Sequence, residues 1–98
     1  MPAYFDTNEV VAHLRDGRVI AKSTYAQVLS SGTNNIVVRV PDLKYIQTVL
    51  EIEFYSDPDT YYTCVMDKKI TGNVVGFTLY GLNASTTLTT EVVAVGPP

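Results

Sequence analysis

Tryptophan is absent, histidine and cysteine occur once each, and lysine plus arginine number 7 among 98 residues. Each scarcity removes a class of function. A single cysteine, Cys64, cannot close an internal disulfide, so the fold does not rest on the covalent staples of small secreted domains, and folding in a reducing compartment is expected. His13 alone would have to serve any histidine-based metal site or a Ser-His or Cys-His relay. A formal net charge of -3 and a pI near 4.8 offer no basic field, so neither nucleic acid nor an anionic membrane is an expected partner. No stretch approaches the roughly 20 apolar residues of a membrane-spanning helix. The start, Met1-Pro2-Ala3-Tyr4-Phe5-Asp6, lacks the basic and apolar regions of a signal peptide. Neither a P-loop nor a dinucleotide-binding glycine pattern occurs.

What is present is apolar surface in alternation. Hydrophobic residues make up 46% of the chain and charged ones 17%, enough for one packed core and too little charge for a disordered chain. Ile36, Val38 and Val40 alternate with Val37 and Arg39 until Pro41-Asp42 breaks the ladder. From Tyr45 to Tyr55, Ile46, Thr48, Leu50, Ile52 and Phe54 form one face, which reads as core. Tyr45, Gln47, Val49, Glu51, Glu53 and Tyr55 form the other. Residues 61–66 read as a strand after the Asp57-Pro58-Asp59 turn. Residues 73–80 read as another, with Val75, Phe77 and Leu79 facing one way between Gly72 and Gly81, and residues 87–95 form the last. Asp16-Gly17 joins two further strands, residues 10–14 and 18–29, the second long and bent; a helix over 23–30 is the rival reading, and the β-branched and tyrosine content favours strand. Ser30 to Asn35 reads as a loop. The expectation is an all-β fold: a single antiparallel β-sandwich or small barrel of about seven strands over residues 10–98, preceded by an extended arm over 1–9 with no partner strand in the chain.

The titratable inventory is thin. Cys64 lies between Thr63 and Val65 in a strand, where a buried inert thiol is the ordinary reading, and His13 reads as a solvated strand end. Glu51 and Glu53 project from one strand face about 7 Å apart, a separation found in paired-carboxylate sites and equally in a solvent-facing row. Asp57 and Asp59 flank a turn proline, and whether they hold an ion is left open, since the full spacing of an EF-hand loop is missing. Asn83-Ala84-Ser85 matches the glycosylation triplet, which arises often by chance. No catalytic residue, metal ligand or cofactor is expected. Tyrosine is the unusual feature, seven against three phenylalanines. Tyr4, Phe5, Tyr45, Tyr55, Tyr61 and Tyr62 are candidate interface residues, because an apolar ring with a wet hydroxyl suits a protein interface; cross-strand packing on a half-exposed sheet is the competing account.

The run Asn35-Ile36-Val37-Val38-Arg39-Val40-Pro41-Asp42-Leu43-Lys44-Tyr45-Ile46-Gln47-Thr48-Val49, the Gly72-Asn73-Val74-Val75 segment and the closing Glu91-Val92-Val93-Ala94-Val95-Gly96 resemble small β-sandwich virion proteins of tailed phages and related viruses. The resemblance spans residues 35–96, a pattern of strand edges with no functional motif, so no family residue carries over. It implies a capsid decoration or minor structural subunit that sits on or between major capsid or other virion proteins, often as a homo-oligomer, in a particle assembled in the host cytoplasm. The arm over 1–9 would add to a neighbour's sheet edge or place Tyr4 and Phe5 in its pocket. A surface adhesion or ligand-binding sandwich, with recognition on the loops 30–35 and 83–90, is the alternative, and an enzyme ranks last.

Overall fold

Asp16-Gly17 closes the first hairpin as its sequence demands. Gly17 takes a φ of 92° and donates its N–H to the Leu14 carbonyl at 3.2 Å, while the Leu14 N–H reaches the Arg18 carbonyl at 2.8 Å. The Asp16 carboxylate accepts from the Arg18 N–H at 3.1 Å and from the Arg18 guanidinium at 2.7 Å, which holds its pKa below the usual value. The structure, a computed structural model, describes residues 5–29, 32–57, 63–82 and 87–98, with the backbone alone at 5–6, 56–57, 63–68 and 80–82.

The described residues form seven strands in order: β1 (Phe5–His13), β2 (Val19–Val28), β3 (Gly32–Arg39), β4 (Thr48–Asp57), β5 (Thr63–Thr71), β6 (Val74–Leu82) and β7 (Thr87–Gly96). They form two antiparallel sheets, one ordered β1-β2-β7-β4 and the other β3-β6-β5, so the all-β expectation holds, as a sandwich of two sheets and not a closed barrel. The pairings nest: β2 with β7 and β3 with β6, with β4 and β5 completing the sheets. That is the connectivity of a jelly roll, a long hairpin folded over into two layers, here short of one strand pair and preceded by β1.

The core lies between the layers. Ile36 and Val38 of β3, Val75, Phe77 and Leu79 of β6, Leu88, Val92 and Ala94 of β7, and Val19 and Ala21 of β2 are all buried. Alternation read from sequence in β3 and β6 is therefore the alternation seen. Thr90 of β7 is buried among these side chains, and its hydroxyl finds no hydrogen-bond partner among the described residues. An unmatched buried hydroxyl costs about 1–3 kcal/mol, so Thr90→Val is expected to stabilise the fold by about 1 kcal/mol. Thermal unfolding followed by circular dichroism checks this, with an expected rise of roughly 4–8 °C.

The segment between β3 and β4 plugs one end of the sandwich. Val40, Leu43 and Ile46 are buried there, and the segment is tied down on several sides. Val40 N–H donates to the Asn73 carbonyl (2.8 Å), Ile46 N–H to the Gly72 carbonyl (2.8 Å), Lys44 N–H to the Pro97 carbonyl (2.7 Å) and Gln47 N–H to the Val95 carbonyl (2.9 Å). The Asn73 amide closes the plug by donating to the Leu43 carbonyl at 3.1 Å. This segment crosses the end of β7 so closely that a Cβ on Gly96 would lie 2.1 Å from the Tyr45 carbonyl oxygen.

Five expectations change. The long strand expected from Tyr45 starts at Thr48, because residues 45–47 belong to the plug. Its core face is also out of phase at the start. Val49 pairs with Ala94 and Glu51 with Val93, so Leu50 is an extra, bulged residue. Leu50 is thereby 53% exposed, Thr48 is exposed, and Val49 packs on the core with Ile52 and Phe54. Gly32 to Asn35, read as loop, opens β3, with Asn34 buried, and Gly81, read as a turn, lies within β6. Finally, Phe5–Glu9 of the expected free arm pairs with β2, Phe5 opposite Ala26 and Glu9 opposite Lys22. Val10 and Ala12 of β1 pair with Ala21 and Ile20, which leaves Val11 bulged and 54% exposed. Since Ala21 pairs in turn with Ala94, the bulges in β1 and β4 flank one rung from opposite edges of the sheet.

Candidate interaction surface

The two outer faces of the sandwich differ in charge. On the four-stranded sheet, one rung runs Glu9, Lys22, Val93, Glu51, and the next runs Thr7, Thr24, Glu91, Glu53. Four carboxylates thus surround one ammonium. Lys22 Nζ stands 3.6 Å from Glu9 and 3.8 Å from Glu91, and the face stays acidic. On the three-stranded sheet, the described outward side chains include Arg39 and Lys69 and no carboxylate.

Glu51 and Glu53 do share a face, as the strand period requires, and they interact. The hydrogen bond to Glu53 and its negative charge push Glu51 above the ordinary carboxylate range. The same bond, with one from the Tyr55 hydroxyl, holds Glu53 below it. Tyr55 donates that hydroxyl to Glu53 and is pushed up to about 12 as a result. Paired carboxylates with separated affinities resemble an acid/base pair, but this pair lies on an open sheet face. The depression that Glu9 and Lys22 line beside it holds about 230 Å³, below the roughly 300–1,000 Å³ of ligand sites.

The pair sets a pH dependence of two signs. As pH falls from neutrality through the raised Glu51 pKa, the folded state gains, because it binds that proton more readily than the unfolded chain. At still lower pH, protonation of Glu53 through its lowered pKa removes stability. Tyr55 supplies the direct readout. The latest phenolate absorbance step is expected to disappear in Tyr55→Phe and to move down toward the ordinary tyrosine value of about 10 in Glu53→Ala. An unchanged late step in Glu53→Ala would assign it to another ring.

Of the six rings named from sequence, Tyr4, Tyr61 and Tyr62 lie outside the described residues, and Phe5 is placed by its backbone, opposite Ala26. Tyr45 and Tyr55 are exposed, at 45% and 52%. They are not brought together: Tyr45 crosses β7 at Gly96 and Tyr55 pairs with Thr89, about 23 Å apart at the strand rise. His13 ends β1 in one sheet, and Cys64, placed by its backbone, lies in β5 of the other. Asp57 ends β4, and Asp59 lies outside the described residues. Among the described residues no three metal-ligating side chains gather.

Sequence reasoning passed over the opposite face. There Val37, Gly76 and Lys69 form one rung across β3, β6 and β5, with Val37 55% exposed. With no side chain at Gly76 the rung has a notch in its middle, a depression of about 210 Å³ lined also by Asn35 and Thr78. Beside it, Tyr25, Val37, Arg39 and Val74 line a second depression of about 250 Å³. Outward alternation of Val37 and Arg39 was readable in β3. The rung that sets a glycine between Val37 and Lys69 depends on strand register, which alternation does not fix across sheets. No known protein family, curated protein or solved structure matches this chain.

Proposed function

We propose that the protein is a structural subunit of a virus particle, a capsid decoration or minor capsid protein that stabilises the shell through contacts with the major capsid or other virion proteins. The observation that carries the reading is the nested strand order, the jelly-roll path on which many capsid proteins are built. Two broad sheet faces that differ in their described charges, with Val37, Leu50 and Tyr55 exposed, agree with work done by surfaces. An adhesion module would place recognition on loops, and the loops considered for it are shortened here: Gly32–Asn35 and Thr87–Thr90 are strand.

Mass spectrometry of gradient-purified particles from the source tests this. The protein is expected at a fixed copy number relative to the major capsid protein and to co-sediment with intact shells. Its recovery only in the soluble fraction, or only on a cell surface, would overturn the reading.

A further inference from the structure

We infer that copies of this chain stack head to tail, the acidic outer face of one seating on the notched face of the next, where Arg39 and Lys69 are the described charges, with Tyr55 as the inserted side chain. The inference rests on the two faces alone and goes beyond the particle reading.

The notch is shaped for a ring. Gly76 bares backbone between the exposed Val37 on one side and Lys69 on the other, and flat aromatic rings pack on strand glycines in this way. A cavity of about 210 Å³ takes one side chain and not a drug-sized ligand. A group that carries negative charge is favoured there, because Lys69 lines the notch and Arg39 lines the adjoining depression. Tyr55 meets both requirements. It is exposed, its hydroxyl is tethered to the Glu53 carboxylate, and Glu51 and Glu91 stand nearby on the same face. The tether holds the ring in one pose, which lowers the entropy lost on docking.

Size agrees as well. The molecule measures 44 × 24 × 18 Å, so a broad face matches the roughly 800 Å² that each partner contributes to a standard interface. Because the docking faces lie on opposite sides of the sandwich, the contact is heterologous. One copy uses both faces, and the result is a ring or an open stack.

Sedimentation velocity over a dilution series tests this in the intact chain. Species above the monomer are expected at low ionic strength, and they should dissociate as salt rises from about 0.01 M to about 1 M and the screening length falls from about 30 Å to about 3 Å. Arg39→Glu and Glu53→Lys should each weaken association on the order of a hundredfold. Mixed together, the two variants should form a one-to-one dimer that goes no further, since each retains one intact face. The unmodified chain should go past the dimer where this mixture stops at it, which a symmetric contact, closed at two copies, would not do. Gly76→Thr fills the notch with a strand-favouring residue and should weaken association about tenfold or more while the melting temperature is kept. A monomer under all conditions, salt-insensitive association, reversal variants that still associate, or a mixture that stays monomeric would overturn the inference. Particle binding by a strictly monomeric chain would leave the proposed function standing and remove this one.

Discussion

Gly96→Ala is expected to destabilise the domain by about 2–3 kcal/mol, the scale of a forced overpacking. In a chain of this size that lowers the thermal midpoint by roughly 10–20 °C. The added methyl carbon would sit 2.1 Å from the Tyr45 carbonyl oxygen and 3.3 Å from its carbon, and both are backbone atoms that cannot rotate away. Nor can the segment retreat freely, because Lys44 and Gln47 on either side are bonded to Pro97 and Val95, the two neighbours of the glycine. Relief therefore requires breaking the plug that keeps Leu43 and Ile46 buried. Gly76→Ala is the control. Its Cβ would meet nothing nearer than 3.9 Å, so the midpoint should hold or rise. Equal midpoints for the two variants in the same melt would show that the crossing is loose.

Phe77→Ala should cost more, about 3–5 kcal/mol, a large part of the roughly 5–15 kcal/mol by which domains of this kind are stable. Phe77 is 3% exposed in β6 and meets Phe54 of β4 edge to face, with ring centroids 5.7 Å apart at 80°. The contact joins the two sheets. Urea unfolding of Phe77→Ala, Phe54→Ala and the double variant measures it. The coupling energy is expected at about 0.5–1.5 kcal/mol beyond simple burial. Additive single effects would mean that the rings are neighbours without mutual preference.

How much of this was legible depended on what each residue's neighbours had to be. Local rules succeeded where one strand sufficed: the Asp16-Gly17 turn, the Ile36/Val38 and Val75/Phe77/Leu79 faces, and the closing strand were all readable from alternation and turn chemistry. They failed where a second strand intervened. Nothing in Thr48-Val49-Leu50-Glu51 announces that Leu50 will be extruded; the bulge follows from how β4 meets β7, and one added residue inverts the faces before it. The lead segment misled for a like reason. Its polar residues suit an unpaired arm and equally an edge strand with one face in water, and pairing of Glu9 with Lys22 settles the matter. Of the candidate surface, Tyr55, Glu51 and Glu53 could be named from period alone. Gly76 as the centre of a notch could not, because its meaning comes from Val37 and Lys69 on two other strands.

The paired bulges at Val11 and Leu50 bear on how this protein survives being concentrated. Four of the seven described strands are sheet edges, and edges of this kind can recruit further strands and grow into cross-β fibrils. In the four-stranded layer, both edges are kinked beside the same rung, so an incoming strand loses register partway along whichever side it approaches. Two apolar residues left in water are thus the cost of a sheet that stops at four strands.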